Sequence, residues 1–383
     1  MRSILVLAVL LIAGQAAAFD MNPIDVDCWG HDFLCNFTKV SEKLKFPVHE
    51  TATLLAYDCY ERTGSCRGGT AHSSADNPHK SGTLRDLVLG SEWNDDPDAL
   101  LRQGVTRAEH WYALFKDAKL QAECKKNGAD LKCNEVTITQ TPMMLYRSHF
   151  GDLQFLHAMA AAADEPARET KKKMMAWAKF AYTIYVDDEN LNDSDLALFP
   201  EIAAIINKQG WTVGALFNPV PGGEWKKSAN PWKFGHYESN GMLRTQNDDD
   251  IGIEYVALGS LLHMIQDTYS ESHAHRERGC NALSSSKGRL ELFRNYADQE
   301  GDIHGIADVY PEWMKNGELA NDNAVWASAK IISFAFAKEP WETVEKFLDT
   351  EVLVLKDPDR LPEPGNRDCF AGKKSKKIAA GNK

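Results

Sequence analysis

The chain has 383 residues, with 43 Lys and Arg against 55 Asp and Glu, a formal net charge of −12 and a pI near 5.5. That acidic balance argues against a surface built to grip polyanions, while leaving room for a site whose metals do the gripping. The length is ample for a large core, as one elaborated domain or two.

Met1–Ala18 carries one Arg, an apolar run (SILVLAVLLIAG) and the small-residue Ala16-Ala17-Ala18 cleavage site of a secretory signal. A mature chain starting near Phe19, soluble and secreted or periplasmic, is expected. The run is short for a membrane span, and no later segment reaches the needed length. Eight cysteines suit an oxidising compartment. Their order favours bridges Cys28–Cys35, Cys59–Cys66, Cys124–Cys133 and Cys280–Cys369, although spacing alone leaves other pairings open. None forms a CxxC pair, so cysteine-bound zinc is not expected.

Residues 19–45 (including CWGHDFLCNF) read as a disulfide-tied entry segment, and 46–370 as a single helical metal-binding domain. From Pro47, VHETATLLAYDCYE has helical apolar spacing and puts His49 in its first turn. His31 and His49 each stand without a partner at ligand spacing, the usual state of an ordinary histidine. Leu84–Leu89 leads into GSEWNDDPDALL, where an Asp-rich loop with Asp96 as N-cap and Pro97 in a new first turn explains Asp96 and Asp98 better than Asp95. An insertion near 97–145 follows. MMLYRSHFGDLQFLHAMAAAA then predicts one amphipathic helix bearing His149 and His157, with His157 set among Leu156, Ala158 and Met159 as a packed core residue would be. Glu169–Tyr185 is predicted as a bundle helix with a solvated Lys face. Residues 186–250 read as a second, irregular insertion rich in Asp, Gly, Pro and Trp, with His236 an exposed loop residue.

Ile253–Arg276 (IEYVALGSLLHMIQDTYSESHAHR) organises the rest. Val256–Ile265 is apolar nearly all round, the mark of a buried helix. It nevertheless carries His263 and Asp267, four apart on one face, and His273 where the helix should be ending. Burying them is costly unless something pairs them. A mutual hydrogen bond would suffice for one isolated pair, but His304 and Asp308 (HGIAD) repeat the spacing, which points to a metal cluster in a helical bundle. Beyond it, helices are expected around Leu290–Phe293, at HGIAD, at Ala324–Phe336 and around Trp341–Leu355. No period-2 blocks appear, so the fold class is all-α, a multi-helix bundle with long loop insertions. Residues 371–383 form a basic tail expected to be unfolded.

GxSxG, P-loop, GxGxxG, HExxH and EF-hand patterns are all missing, so serine-based and nucleotide-dependent catalysis have no local support. His and Asp on helices suit zinc in a water-activating role. Two or three such ions in a cleft can bind a phosphodiester, supply hydroxide and neutralise the leaving alkoxide.

At these residues the chain resembles the zinc-dependent phospholipase C and S1/P1 nuclease superfamily, all-α proteins with a three-zinc cluster. The family's His-x3-Asp-x5-His block is matched by His263, Asp267 and His273, and its final pair by His304 and Asp308. Its first His would be His49 (HETATLLAY), its first Asp would be Asp95 (WND), and the His before the central block would be His149 (SHFGD). The resemblance implies one zinc at Asp95, His149, His263 and Asp267, and another at His273, His304 and Asp308. A third would use His49, with Asp267 as a bridge and the chain's amino terminus. Where family members begin with Trp, the expected terminus here is Phe19, so that segment loops back, another residue such as His31 substitutes, or the third site is weaker. The insertions, with SHFGDLQFLH and HMIQDTYSESHAHR taken together, resemble secreted bacterial phospholipases C of the Pseudomonas and Legionella type.

The implied function is a secreted zinc phosphodiesterase (two or three Zn2+) acting on phosphatidylcholine-type lipid at a membrane surface, releasing diacylglycerol and the phosphorylated head group. Asp95 would be the catalytic residue, orienting or deprotonating water. One alternative is an S1/P1-like single-strand nuclease, for which Trp211, Phe217, Trp225, Trp232 and Phe234 could stack bases. A second is a non-catalytic secreted binding protein with a structural metal site.

Overall fold

The computed structural model describes residues 48–61, 82–97, 144–187, 191, 194–207, 211–217, 236–237, 243–244, 253–277, 288–296 and 323–363. These are mostly helical. In chain order the helices are α1 (Val48–Glu61), α2 (Gly82–Gly90), α3 (Met144–His149), α4 (Ala167–Val186), α5 (Pro200–Ile206), α6 (Val213–Phe217), α7 (Ile253–Asp267), α8 (Ala324–Phe336) and α9 (Trp341–Phe347). A 3-10 turn spans Gln154–His157, and α9 runs into a π-helical turn at Leu348–Val352.

α7 lies at the centre, packed by α4, α2, α8 and α1 around it. Its Val256, Leu258, Leu261, Leu262 and Ile265 are fully buried, and each contributes about 1.5–3 kcal/mol by leaving water. The approach to α2 is set by two glycines. A Cβ on Gly90 would lie 2.3 Å from the Tyr255 carbonyl oxygen, and one on Gly259 would lie 2.3 Å from the Gly90 carbonyl carbon. No larger residue permits this backbone contact, and it lays the turn after α2, Ser91–Pro97, against α7.

At its C-terminal end α7 tightens. The amides of Thr268, Tyr269 and Ser270 donate to the carbonyls of Ile265, Gln266 and Asp267, and the His273 amide to Ser270. The chain thereby doubles back and brings His273 to Asp267. The exit is fixed by Arg276, a fully buried guanidinium that donates to the carbonyls of Thr268, Gly288 and Val352 and to the Thr268 hydroxyl. Its Cζ lies 4.1 Å from the centre of the Tyr269 ring.

α1 packs on α8, which starts at Asn323, whose side chain accepts the Trp326 amide at 3.0 Å. Trp93 stacks on Trp177 at 5.7 Å between ring centres, and Phe217 meets both.

Three expectations need correction. The segment bearing His149 and His157 is not one helix: α3 stops at His149, and the 3-10 turn follows, closed by Ala158 in the left-handed region at φ 50°. Leu290–Phe293 is a strand, β4, antiparallel to β3 (Ala274–Arg276), because the chain leaving α7 offers it a hydrogen-bonding edge. A second pair, β1 (His236–Tyr237) with β2 (Leu243–Arg244), lies within the second insertion. That insertion also contains α5 and α6, whose Ile202, Ile206, Leu216 and Phe217 join the core. Trp211 is buried as well, so neither it nor Phe217 lines a rim.

Cys59, the one cysteine among the described residues, is disulfide-bonded to a residue outside them. The other expected pairings, the signal segment, the basic tail, His31, His304 and Asp308 all lie outside the described residues. Among those described, no helix is long and apolar enough to cross a membrane.

Candidate metal centre

Seven buried side chains converge at the C-terminal end of α7: His49, Asp95, His149, His157, His263, Asp267 and His273. Each arrives by a different route. His49 sits in the first turn of α1, Asp95 in the turn after α2, His149 at the end of α3, and His157 at the end of the 3-10 turn. His263 and Asp267 come from one face of α7, and His273 from the return turn beyond it.

Asp267 is the hub. Its Oδ2 lies 3.0 Å from His157 Nδ1, 3.1 Å from His263 Nε2 and 3.0 Å from His273 Nδ1. Its Oδ1 lies 3.3 Å from His49 Nε2, and among the described residues this buried oxygen accepts no hydrogen bond. Asp95 forms the second pole, with His149 Nε2 at 3.7 Å and His157 Nδ1 at 3.9 Å from Oδ1, and His263 Nδ1 at 3.9 Å from Oδ2. The His49 and His263 rings stack at 3.5 Å between centres.

The far side of four rings decides what the near side can do. An oxygen acceptor requires the facing ring nitrogen to carry the hydrogen. His49 Nδ1 donates to Gln266 Oε1 at 2.8 Å, and His149 Nδ1 to the Leu145 carbonyl at 3.0 Å. His263 Nδ1 donates to the Ser91 carbonyl at 2.7 Å, and His157 Nε2 to the Asn94 carbonyl at 3.1 Å. The Gln266 amide nitrogen is in turn engaged by Thr53 and Ser328, which turns its oxygen to His49. These bonds fix the outward nitrogen of each ring and turn its other nitrogen toward the two carboxylates. A histidine whose outer N–H is held by an oxygen is the usual form of a metal ligand.

Burial works to raise the Asp95 pKa, but His263, His149, His157 and His49 overcome it and hold the carboxyl at about 2. Asp267 also lies well below the ordinary carboxylate range: burial pushes up, while His273, His263, His49 and His157 pull down more strongly. Burial, with His149 adding to it, lowers the His157 pKa against the pull of the two carboxylates. Ionised carboxylates and neutral imidazoles are the protonation states metal binding needs.

The buried groups could hold metal ions in three overlapping sets: His49, His263 and Asp267; Asp95, His149 and His157; and His157, Asp267 and His273. Within each set the ligand atoms lie within 4.8 Å of one another. The structure thus brings together six of the residues expected from sequence, His49, Asp95, His149, His263, Asp267 and His273. Their grouping differs from the implied one: His149 goes with Asp95 and His157, and His263 with His49 and Asp267. His157 is the residue the sequence reading left in the core. The signal available was Gly151, which interrupts the helical pattern between the two histidines and marks a break.

Scans of protein-family models, curated proteins and solved structures each return no match to this chain.

Proposed function

We propose that the chain is a zinc-dependent phosphodiesterase of the phospholipase C type, acting on phosphatidylcholine-like lipid. The observation that carries the reading is the convergence of five histidine rings on two buried carboxylates, with Asp267 common to two of the three ligand sets. Two or three zinc ions held there would supply Lewis acidity toward a phosphodiester and a nucleophilic water near neutral pH. His49, Asp95, His149, His263, Asp267 and His273 would hold them, with His304 and Asp308 completing the set as the resemblance implies.

The chain's own residues have distinct tasks. Asp267 neutralises charge across the cluster and fixes its spacing. The carbonyls of Ser91 and Leu145 and the Gln266 amide hold the rings in orientation. A carboxyl at about 2 is a poor proton acceptor, so Asp95 binds and orients water rather than carrying its proton away. Phe150 and Tyr296 meet edge to face at 4.8 Å beside His149 and give that side of the site an apolar wall. Trp211 and Phe217, two of the aromatics that could have stacked bases, belong to the core, which weakens the support for a nuclease.

Elemental analysis of purified protein, with His263→Ala and His304→Ala beside it, comes first, followed by parallel assays on phosphatidylcholine vesicles and single-stranded DNA. Zinc in multiple equivalents, reduced in both variants, with phosphocholine release from vesicles, is the expected outcome. Cleavage of DNA alone would replace the substrate. One ion indifferent to both changes, with neither assay positive, would leave a binding protein with a structural site.

A further inference from the structure

We propose that His157 is a metal ligand through Nδ1, shared between the Asp95 and Asp267 halves of the cluster, with the Asn94 carbonyl setting the tautomer that makes it one. This rests on the metal reading above and adds to it a ligand that the His/Asp spacing pattern does not contain.

The geometry is specific to this ring. Its Nε2 lies 3.1 Å from the Asn94 carbonyl oxygen and donates to it, which turns Nδ1 inward. Nδ1 then faces Asp267 Oδ2 at 3.0 Å, Asp95 Oδ1 at 3.9 Å and His263 Nε2 at 3.1 Å. His263 Nε2 is turned inward in the same way, because its Nδ1 donates to the Ser91 carbonyl. Two ring nitrogens and a carboxylate oxygen therefore meet in a fully buried space. A cation placed between them would engage all three atoms at once. Among the described residues, His157 is also the one histidine that belongs to both an Asp95 set and an Asp267 set.

Asn94 is built to hold that carbonyl still. It is fully buried, its Nδ2 donates to the carbonyls of Leu156 and Ser260, and its Oδ1 accepts the Ser260 hydroxyl at 2.5 Å. Trp177 Nε1 donates to the same hydroxyl at 3.1 Å. Because Leu156 precedes His157 in the chain, Asn94 fixes both the ring's acceptor and the backbone that carries the ring. It is a positioning residue, acting through His157.

The test uses the two amides that imitate the two ring nitrogens. His157→Gln reaches the Nε2 position and can keep the bond to the Asn94 carbonyl, but it removes the ligand. His157→Asn places an amide oxygen near the Nδ1 position and gives up the outer bond. Zinc stoichiometry and affinity are measured by chelator competition on the full chain, with the melting temperature of the metal-free form alongside. His157→Gln should bind one equivalent fewer, or weaken the affected ion at least about 100-fold, with His157→Asn less impaired. Ser260→Ala should weaken it about 10-fold without changing stoichiometry. Equal zinc affinity in wild type and His157→Gln, or a larger loss in His157→Asn, overturns the proposal. If neither variant folds, the nitrogen-15 shifts of the wild-type ring decide. Zinc should move Nδ1 of His157 and leave Nε2 protonated, and the reverse pattern or no change overturns it. A wild-type protein that binds no zinc would instead remove the reading on which the proposal stands.

Discussion

α7 and the segment Met144–Ala158 each deliver two candidate metal ligands to the same centre, by opposite means. On α7, His263 and Asp267 are neighbours because the helix is regular: four residues nearly complete a turn and stack the two side chains on one face. In the other segment, His149 and His157 are neighbours because the helix stops. Eight residues of continuous helix would separate them by about 12 Å along the axis, yet their ring centres lie 4.4 Å apart. The turn at Gly151 folds the second histidine back beside the first. A regular helix offers two ligands at fixed spacing, and a broken one offers two from different directions, as a compact site around Asp95 needs.

The largest effect should come from Asp267→Asn, which removes the charge at the hub while keeping the shape. Zinc content should fall to at most about one equivalent per chain, because two of the three ligand sets share this carboxylate. Retention of all metal would mean α7 does not supply the central ligand. Asp95→Asn should be milder on metal and severe on turnover, lowering kcat by about 10²–10⁴-fold if Asp95 orients the attacking water. Unchanged kcat would confine it to structure.

Gly151→Ala tests the broken segment. A Cβ there would lie 2.8 Å from the Arg147 Cα, so the turn must open, at a cost of about 1–3 kcal/mol read from chemical denaturation. Zinc should be lost on the Asp95 side before the Asp267 side, and equal loss from both would dissolve the contrast between the two segments.

The smallest effect is in pH. With zinc removed, burial lowers the His157 pKa from 6.5 against the pull of Asp267 and Asp95. Below 6.5 the unfolded chain therefore takes up a proton that the folded chain refuses, and stability falls as pH drops. Asp95 adds a second decline: its ionised form stabilises the fold above 3.8, and that contribution is lost as pH falls through about 2. Melting temperature in chelator should accordingly fall from near pH 6.5 downward and again below pH 4. A flat profile between 6.5 and 5 would place a charged imidazole at His157.

What the sequence disclosed follows the same division. Residues whose placement depends on helical period were legible: α7 with His263 and Asp267, α8 to its end residues, and His49 in the first turn of α1. Asp95 was legible only as the Asp that a cap and turn did not explain. Residues placed by distant partners were not. Leu290–Phe293 has apolar residues at positions compatible with helix or strand, and it becomes a strand because β3, from beyond α7, pairs with it. His157 has apolar neighbours on both sides and is buried like them. Only the Asn94 carbonyl and Asp267, remote in sequence, reveal that it faces a site. The second insertion contributed buried helices for the same reason, since Ile202 and Phe217 are recruited by α4 and Trp93 rather than by their own neighbours.

Arg276 places this centre in time as well as in space. The return turn that carries His273 is tied by one guanidinium to the carbonyl of Val352, while the first ligand, His49, belongs to the opening helix. During synthesis at the ribosome, nearly the whole domain must therefore emerge before the turn is secured. A metal bound at this centre would therefore meet a finished cradle only once folding is close to complete.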